Sequence, residues 1–162
     1  NLSSRQLQQL DLIQTIDSIL TRTGLAGRYL KLEITESLLM QNPEMASHTL
    51  HQLQEKQISI SIDDFGTGYS SLSYLHRLPV NTLKIDRSFV NRMNQDQENL
   101  DIVEAIINLA HHLKIDVIAE GVETQDNFTK LKELGCEFGQ GYFFSRPMNA
   151  ENIKHYLQER VP

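Results

Sequence analysis

Residues 58–71 read ISISIDDFGTGYSS. As a strand, this stretch puts Ser59, Ser61 and Asp63 on one face and Ile58, Ile60 and Ile62 on the other. The isoleucine face suits packing under helices, while the small polar face suits an interior lining. At the carboxyl end the pattern breaks. Asp63 and Asp64 point to opposite faces of a regular strand, so a shared site needs a bend, which Gly66 and Gly68 permit. Adjacent carboxylates repel unless a cation neutralises them, and all-oxygen donors suit Mg²⁺ or Mn²⁺. The plain alternative is a solvated Asx turn ahead of a helix.

Upstream, residues 3–22 place Leu7, Leu10, Ile13, Ile16 and Leu20 at helical spacing behind a Ser3 or Ser4 cap, with Gly24 or Gly27 as the stop. Residues 30–36 alternate as a strand, Leu30, Leu32 and Ile34 facing away from Lys31, Glu33 and Thr35. A helix over 44–56 follows Asn42-Pro43. Downstream, the pattern predicts a short helix near 72–77, a strand over 82–86, and a long helix over 97–113 with Leu100, Val103, Ile107 and Ala110 on one side. A strand over 116–120, a helix over 125–134, a strand over 138–144 and a helix over 150–157 complete the chain. Strands alternating with helices imply a parallel sheet joined by crossovers. Two architectures fit five strands and six helices. One is a (β/α)₈ barrel lacking about its first three strands, with Asn1 closing the third. The other is an open five-stranded doubly wound sheet.

Each predicted strand carries polar or charged residues toward its carboxyl end: Glu33 and Glu36, Asp63 and Asp64, Lys84 and Asp86, Glu120 and Glu123, and Gln140. Ligands bind at that end of parallel α/β sheets. Such residues are rarely buried without a partner, so the set points to metal-assisted hydrolysis. Glu33 and Asp63 share inward parity and can ligate one ion; Asp64 and Glu120 can hold a second. Lys84 can orient an attacking water or neutralise charge growing on phosphate, the plain alternative being a surface lysine paired with Asp86. Glu36 has the opposite parity to Glu33 and fits a brace for a neighbouring loop. Gln140 can bond a base or phosphate, or simply mark a bend between Gly139 and Gly141.

The other candidates read as structural. His111 and His112 sit near a helix C-terminus, where cations are favoured. His48 and His51 share a helix face without a third ligand nearby in sequence. Phe65 and Tyr69 can stack on a base or anchor the loop.

The 162 residues are about 40% hydrophobic and 22% charged, as in a soluble globular domain. The formal net charge of −6 argues against a general grip on nucleic acid. A single cysteine, Cys136, excludes an internal disulfide and a multi-cysteine metal site, and fits a reduced, cytoplasmic setting. No apolar run is long enough for a membrane segment. The opening residue is Asn1 rather than Met, and the chain reads as part of a longer one.

Five ordered segments carry a family resemblance: LEITES (32–37), DDFGTGYSSLSYL (63–75), LKIDRSFV (83–90), IAEGVET (118–124) and GQGYFFSRPM (139–148). Together they resemble the EAL-domain cyclic-di-GMP phosphodiesterases across essentially the whole chain. The resemblance implies a barrel variant whose first strand is antiparallel, and hydrolysis of cyclic di-GMP to linear pGpG with a two-ion Mg²⁺ or Mn²⁺ site. It implies Asn1, Glu33 and Asp63 as metal ligands, Asp63 bridging to an ion held with Asp64 and Glu120. Lys84 would contact the nucleophilic water and Glu120 would serve as general base. Glu123 and Gln140 would support the site or touch substrate, and Glu36 would hold the loop whose segment 65–77 mediates a homodimer. Residues 1–162 would then be one partial EAL domain. The Glu-Ala-Leu segment that names the family would lie before Asn1, with sensor, receiver or GGDEF domains possible further upstream. The rival functions are a module that binds or dimerises without cutting, and a Schiff-base aldolase using Lys84.

Overall fold

The computed structural model describes residues 1–68 and 75–160. Five strands, β1 (Lys31–Thr35), β2 (Ser59–Phe65), β3 (Thr82–Ile85), β4 (Asp116–Glu120) and β5 (Phe138–Gln140), form one parallel sheet. Their spatial order is their chain order. A doubly wound sheet must reverse its strand order at a switch point. This one never does, so the sheet is an arc of a barrel and the doubly wound alternative is overturned.

Register fixes which side chains share a face. Glu33 lies beside Ser61, Thr35 beside Asp63, Ser61 beside Thr82, and Lys84 beside Ile118. That row, polar except for Ile118, faces the concave side. The opposite row (Ile34, Ile60, Ile62, Leu83, Ile85, Val117, Ala119) is buried throughout. Helices Pro43–Glu55 and Gln97–Leu113 cover it with Leu50, Leu53, Val103, Ile107 and Ala110. Each such buried aliphatic side chain contributes roughly 1.5–3 kcal/mol relative to exposure.

Several predicted boundaries shift for identifiable reasons. The helix expected over 3–22 divides into Ser4–Leu7 and Leu12–Thr23. The Leu2 N–H donates to Glu33 O at 2.8 Å, pinning the chain start to the β1 edge. A Ser3–Gln6 capping box then begins a short first helix. Leu10, expected on the apolar stripe, lies in the break and is 99% exposed. Gly24 is the stop, at φ +69°.

The strand expected to reach residue 36 ends at Thr35, and Glu36 opens an unforeseen helix, Glu36–Gln41. Likewise β3 ends at Ile85. Asp86 caps the short helix Arg87–Val90 by accepting from the Ser88 N–H at 2.9 Å. The last strand, expected over 138–144, stops at Gln140. At Gly141 the chain presses on the Val122 backbone so closely that a Cβ would lie 2.1 Å from Val122 O. Phe143 and Phe144 turn away to pack with Phe128, at centroid separations of 5.3–5.9 Å. The helix expected near 72–77, and Tyr69, fall largely outside the described residues. No described helix is long and apolar enough to cross a membrane.

The histidines take local roles. His51 Nδ1 meets Ser47 O at 2.7 Å, and His112 Nδ1 meets Asn108 O at the same distance. The Cys136 Sγ lies 3.3 Å from Phe138 O, and burial pushes its thiol up to about 11.

A tie at the amino end of β4 joins three segments. Glu137 Oε2 accepts from the Val117 N–H at 2.9 Å, and Glu137 Oε1 meets His111 Nε2 at 2.8 Å. Burial pushes the Glu137 carboxyl up, but the backbone N–H groups and His111 outweigh it and hold it below the usual range. A carboxyl held low adds stability above its ordinary value and loses it as pH falls through the lowered one. Glu137→Gln is therefore expected to cost about 1 kcal/mol at pH 7, scaled down for its exposed position. Thermal unfolding at pH 7 and pH 3 checks this, since the gap between variant and parent should close on the acid side.

Candidate active site

The strand alternation sends Glu33 from β1, Asp63 from β2, Lys84 from β3 and Glu120 from β4 toward one point on the concave face. Lys84 Nζ lies 2.7 Å from Glu120 Oε1, 3.0 Å from Asp63 Oδ1 and 3.1 Å from Glu33 Oε1. Its side chain is 4% exposed, against 17–29% for the three acids. Burial opposes the ammonium charge, but hydrogen bonds to Glu120, Asp63 and Glu33 overcome it and hold Lys84 well above the usual lysine range. A lysine so fixed in its charged form is a poor Schiff-base nucleophile, which needs a free amine. Nor is it a surface lysine paired with Asp86.

Asp64 reaches the same pocket through a bulge. β2 and β3 pair at Ile62↔Leu83 and again at Phe65↔Ile85, so two intervening residues of β2 oppose one of β3. Asp64 is the extra residue and takes φ +53°. Its N–H donates to Asp63 Oδ1 at 3.1 Å. The bend thus sits at Asp64 itself, two residues before the first of the glycines expected to supply it, although Gly66 follows at φ +97°. Phe65 recovers the outward, buried position. A bulge re-aims one side chain while the ladder continues on either side.

Asp63, Asp64 and Glu120 each offer an oxygen, all within 4.8 Å of one another. Burial raises the Asp64 carboxyl, with Asp63 and Asp86 adding repulsion and Lys84 pulling the other way. Asp86, read in the sequence as one of the strand-end acids and as a possible partner for Lys84, is therefore a fourth acid beside the trio. Three hard, anionic oxygen donors at this spacing fit a divalent cation of the Mg²⁺ or Mn²⁺ type. Glu33 stands one register step lower, opposite Ser61, and joins the cluster through Lys84.

Glu36 is almost fully buried, at 2% exposure, and its Oε2 accepts from the Gly66 N–H at 3.0 Å. A Cβ on Gly68 would lie 2.9 Å from Glu36 Oε1, so that glycine leaves room for the carboxylate. The loop after β2 is thus tied to the helix after β1. Glu123 is exposed, and Gln140 pairs in register with Glu120. Both line a groove of about 220 Å³ with Arg87, Glu120, Gly121 and Tyr142. Asn1 is exposed, next to Leu2 on the β1 edge. Arg87 carries no sequence expectation. Its visible signals are its place just past the strand that bears Lys84 and inside the segment 83–90.

Comparison with known proteins bears on the family and the fold. Residues 1–147 match the model of the EAL domain. The cyclic di-GMP phosphodiesterase NbdA of Pseudomonas aeruginosa is 43% identical over 158 residues, 98% of this chain and 20% of that protein. The bifunctional diguanylate cyclase/cyclic di-GMP phosphodiesterase MucR of the same organism is 44% identical over 94% of this chain and 22% of its own length. The chain thus spans about a fifth of the length of these curated relatives. Among solved structures, the PaMucR phosphodiesterase in complex with c-di-GMP superposes with a TM-score of 0.92 at 44% identity, over 94% of this chain and 62% of that one. The EAL domain of Mycobacterium smegmatis DcpA gives 0.91 at 40% identity, over 100% of this chain and 73% of that one. With a family match over nearly its whole length and the same strand scaffold, the chain belongs to the EAL domain family.

Proposed function

We propose that the protein containing this chain hydrolyses cyclic di-GMP to linear pGpG with Mg²⁺ or Mn²⁺. The observation that carries this reading is the convergence of four strands on Lys84 and its carboxylates, with Asp63, Asp64 and Glu120 spaced for a cation. Asp63, Asp64 and Glu120 would hold one ion; Glu33 and Asn1, with Asp63 as the shared ligand, would hold the other. When bound, the ions supply Lewis-acid polarisation of a phosphoryl oxygen.

The chain's own groups do the rest. Glu120 is placed to take a proton from the attacking water. Water adds at phosphorus, the P–O3′ bond breaks, and the departing 3′ oxygen takes a proton, leaving a 5′-phosphate. Lys84 has three N–H donors, each directed to a carboxylate. Any carboxylate that turns away frees one N–H for the attacking water or for a phosphoryl oxygen. Glu123 and Gln140 extend the floor of the pocket toward the nucleotide. Glu36 holds the loop after β2 in register with Asp63 and Asp64. The same reading takes the 65–77 segment as a homodimer contact, of which residues 69–74 lie outside the described residues, and places the protein in the cytoplasm.

Incubation with cyclic di-GMP and Mg²⁺, followed by product chromatography and calorimetry, tests this. The expected product is pGpG, at a rate that falls to background in chelator. Tight binding with no product would instead favour the binding-module reading.

A further inference from the structure

We infer that Arg87 grips a phosphate of the nucleotide in the groove beside Glu120, an inference that rests on the phosphodiesterase reading above. The concave end of the sheet gathers Glu33, Asp63, Asp64, Asp86, Glu120 and Glu123, yet the cyclic dinucleotide carries two negative phosphodiesters of its own. Lys84 cannot serve them freely, since it is buried and its three donors are directed to Glu33, Asp63 and Glu120. Arg87 is different. Its side chain is exposed, makes no hydrogen bond or ion pair among the described residues, and is the only cation lining the groove of about 220 Å³. Glu120, Glu123 and Gln140 line the same groove, so Arg87 shares it with three residues of the proposed site.

The location is imposed by the fold. β3 ends at Ile85, and Asp86 caps the turn into Arg87–Val90, which carries Arg87 onto the rim one residue past that cap. Its Cβ packs against Gly121, where an added Cβ would lie 2.6 Å away, so the base of the side chain is fixed while its tip stays free. A planar five-donor fork matches two phosphate oxygens at once, which a lysine cannot reproduce. Arg87 touches no other candidate group, so its expected role is substrate binding and not the chemical step.

The test is steady-state hydrolysis of cyclic di-GMP by the parent protein, Arg87→Ala and Arg87→Lys over a range of salt concentrations, with thermal unfolding as the check on folding. Arg87→Ala is expected to raise KM about tenfold with kcat within threefold, and to flatten the rise of KM with salt. Arg87→Lys is expected to keep the salt dependence and recover part of the affinity. An unchanged KM and salt slope in Arg87→Ala, with an active parent, would overturn this inference and leave the activity standing. A parent that neither cuts nor binds would overturn both. Loss of preference for cyclic di-GMP over cyclic di-AMP, at constant salt slope, would mean that Arg87 reads a base edge, and the phosphate assignment would fall.

Discussion

Lys84→Met is expected to lower the stability of the domain by about 3 kcal/mol when measured in chelator, the usual scale for removing one partner of a buried ion cluster. Methionine fills much the same volume, so the loss reflects charge and not a cavity. Three carboxylates at 2.7–3.1 Å from one nitrogen would then face each other without a counter-ion. Their partial exposure, 17–29%, keeps the cost below that of fully dry acids. Millimolar Mg²⁺ should restore much of the loss, because a ligand that binds only the folded state stabilises by mass action. Chemical denaturation with and without Mg²⁺ measures both effects. A variant as stable as the parent in chelator would show that Lys84 does not hold the cluster together.

Asp63→Asn is expected to leave the fold intact and to cut turnover by roughly three orders of magnitude, the scale on which losing one fixed electrostatic contact at a reacting centre slows a reaction. Asparagine keeps the shape and can still accept from the Asp64 N–H, so the bulge survives. What disappears is a negative oxygen shared between Lys84 and the acidic trio. Product chromatography and thermal unfolding of the same preparation separate the two outcomes. Near-normal turnover would remove Asp63 from the centre of the chemistry.

The parts of this site that were legible in the sequence are those fixed by strand alternation. Glu33, Asp63, Lys84 and Glu120 share the concave face because a period of two and a parallel register leave no other choice. Alternation alone does not separate barrel from doubly wound sheet, since both give the same pattern and differ only in spatial order; the five motif segments are what point to the barrel. The need for a bend at Asp63-Asp64 is legible, but its form as a bulge is not. It depends on Phe65 pairing with Ile85, a tertiary fact, and no local pattern marks an inserted residue. Strand parity makes Glu36 a brace; in the structure it reaches Gly66 from the first turn of a helix. Helical spacing puts Leu10 on an apolar stripe, which breaks because the Ser3–Gln6 cap starts a separate helix. Residues 141–144 alternate acceptably as a strand, but Val122 and the aromatic trio claim them first.

The inserted aspartate also bears on how such a protein can change over generations. Because Phe65 resumes the ladder immediately afterward, the scaffold has no need of the extra residue. A descendant that shed it would keep an even, fully paired wall and lose one acid from the trio. Loss of the proposed chemistry would therefore be a small step for this architecture, and a copy altered in that way would keep its parallel sheet and buried outer face.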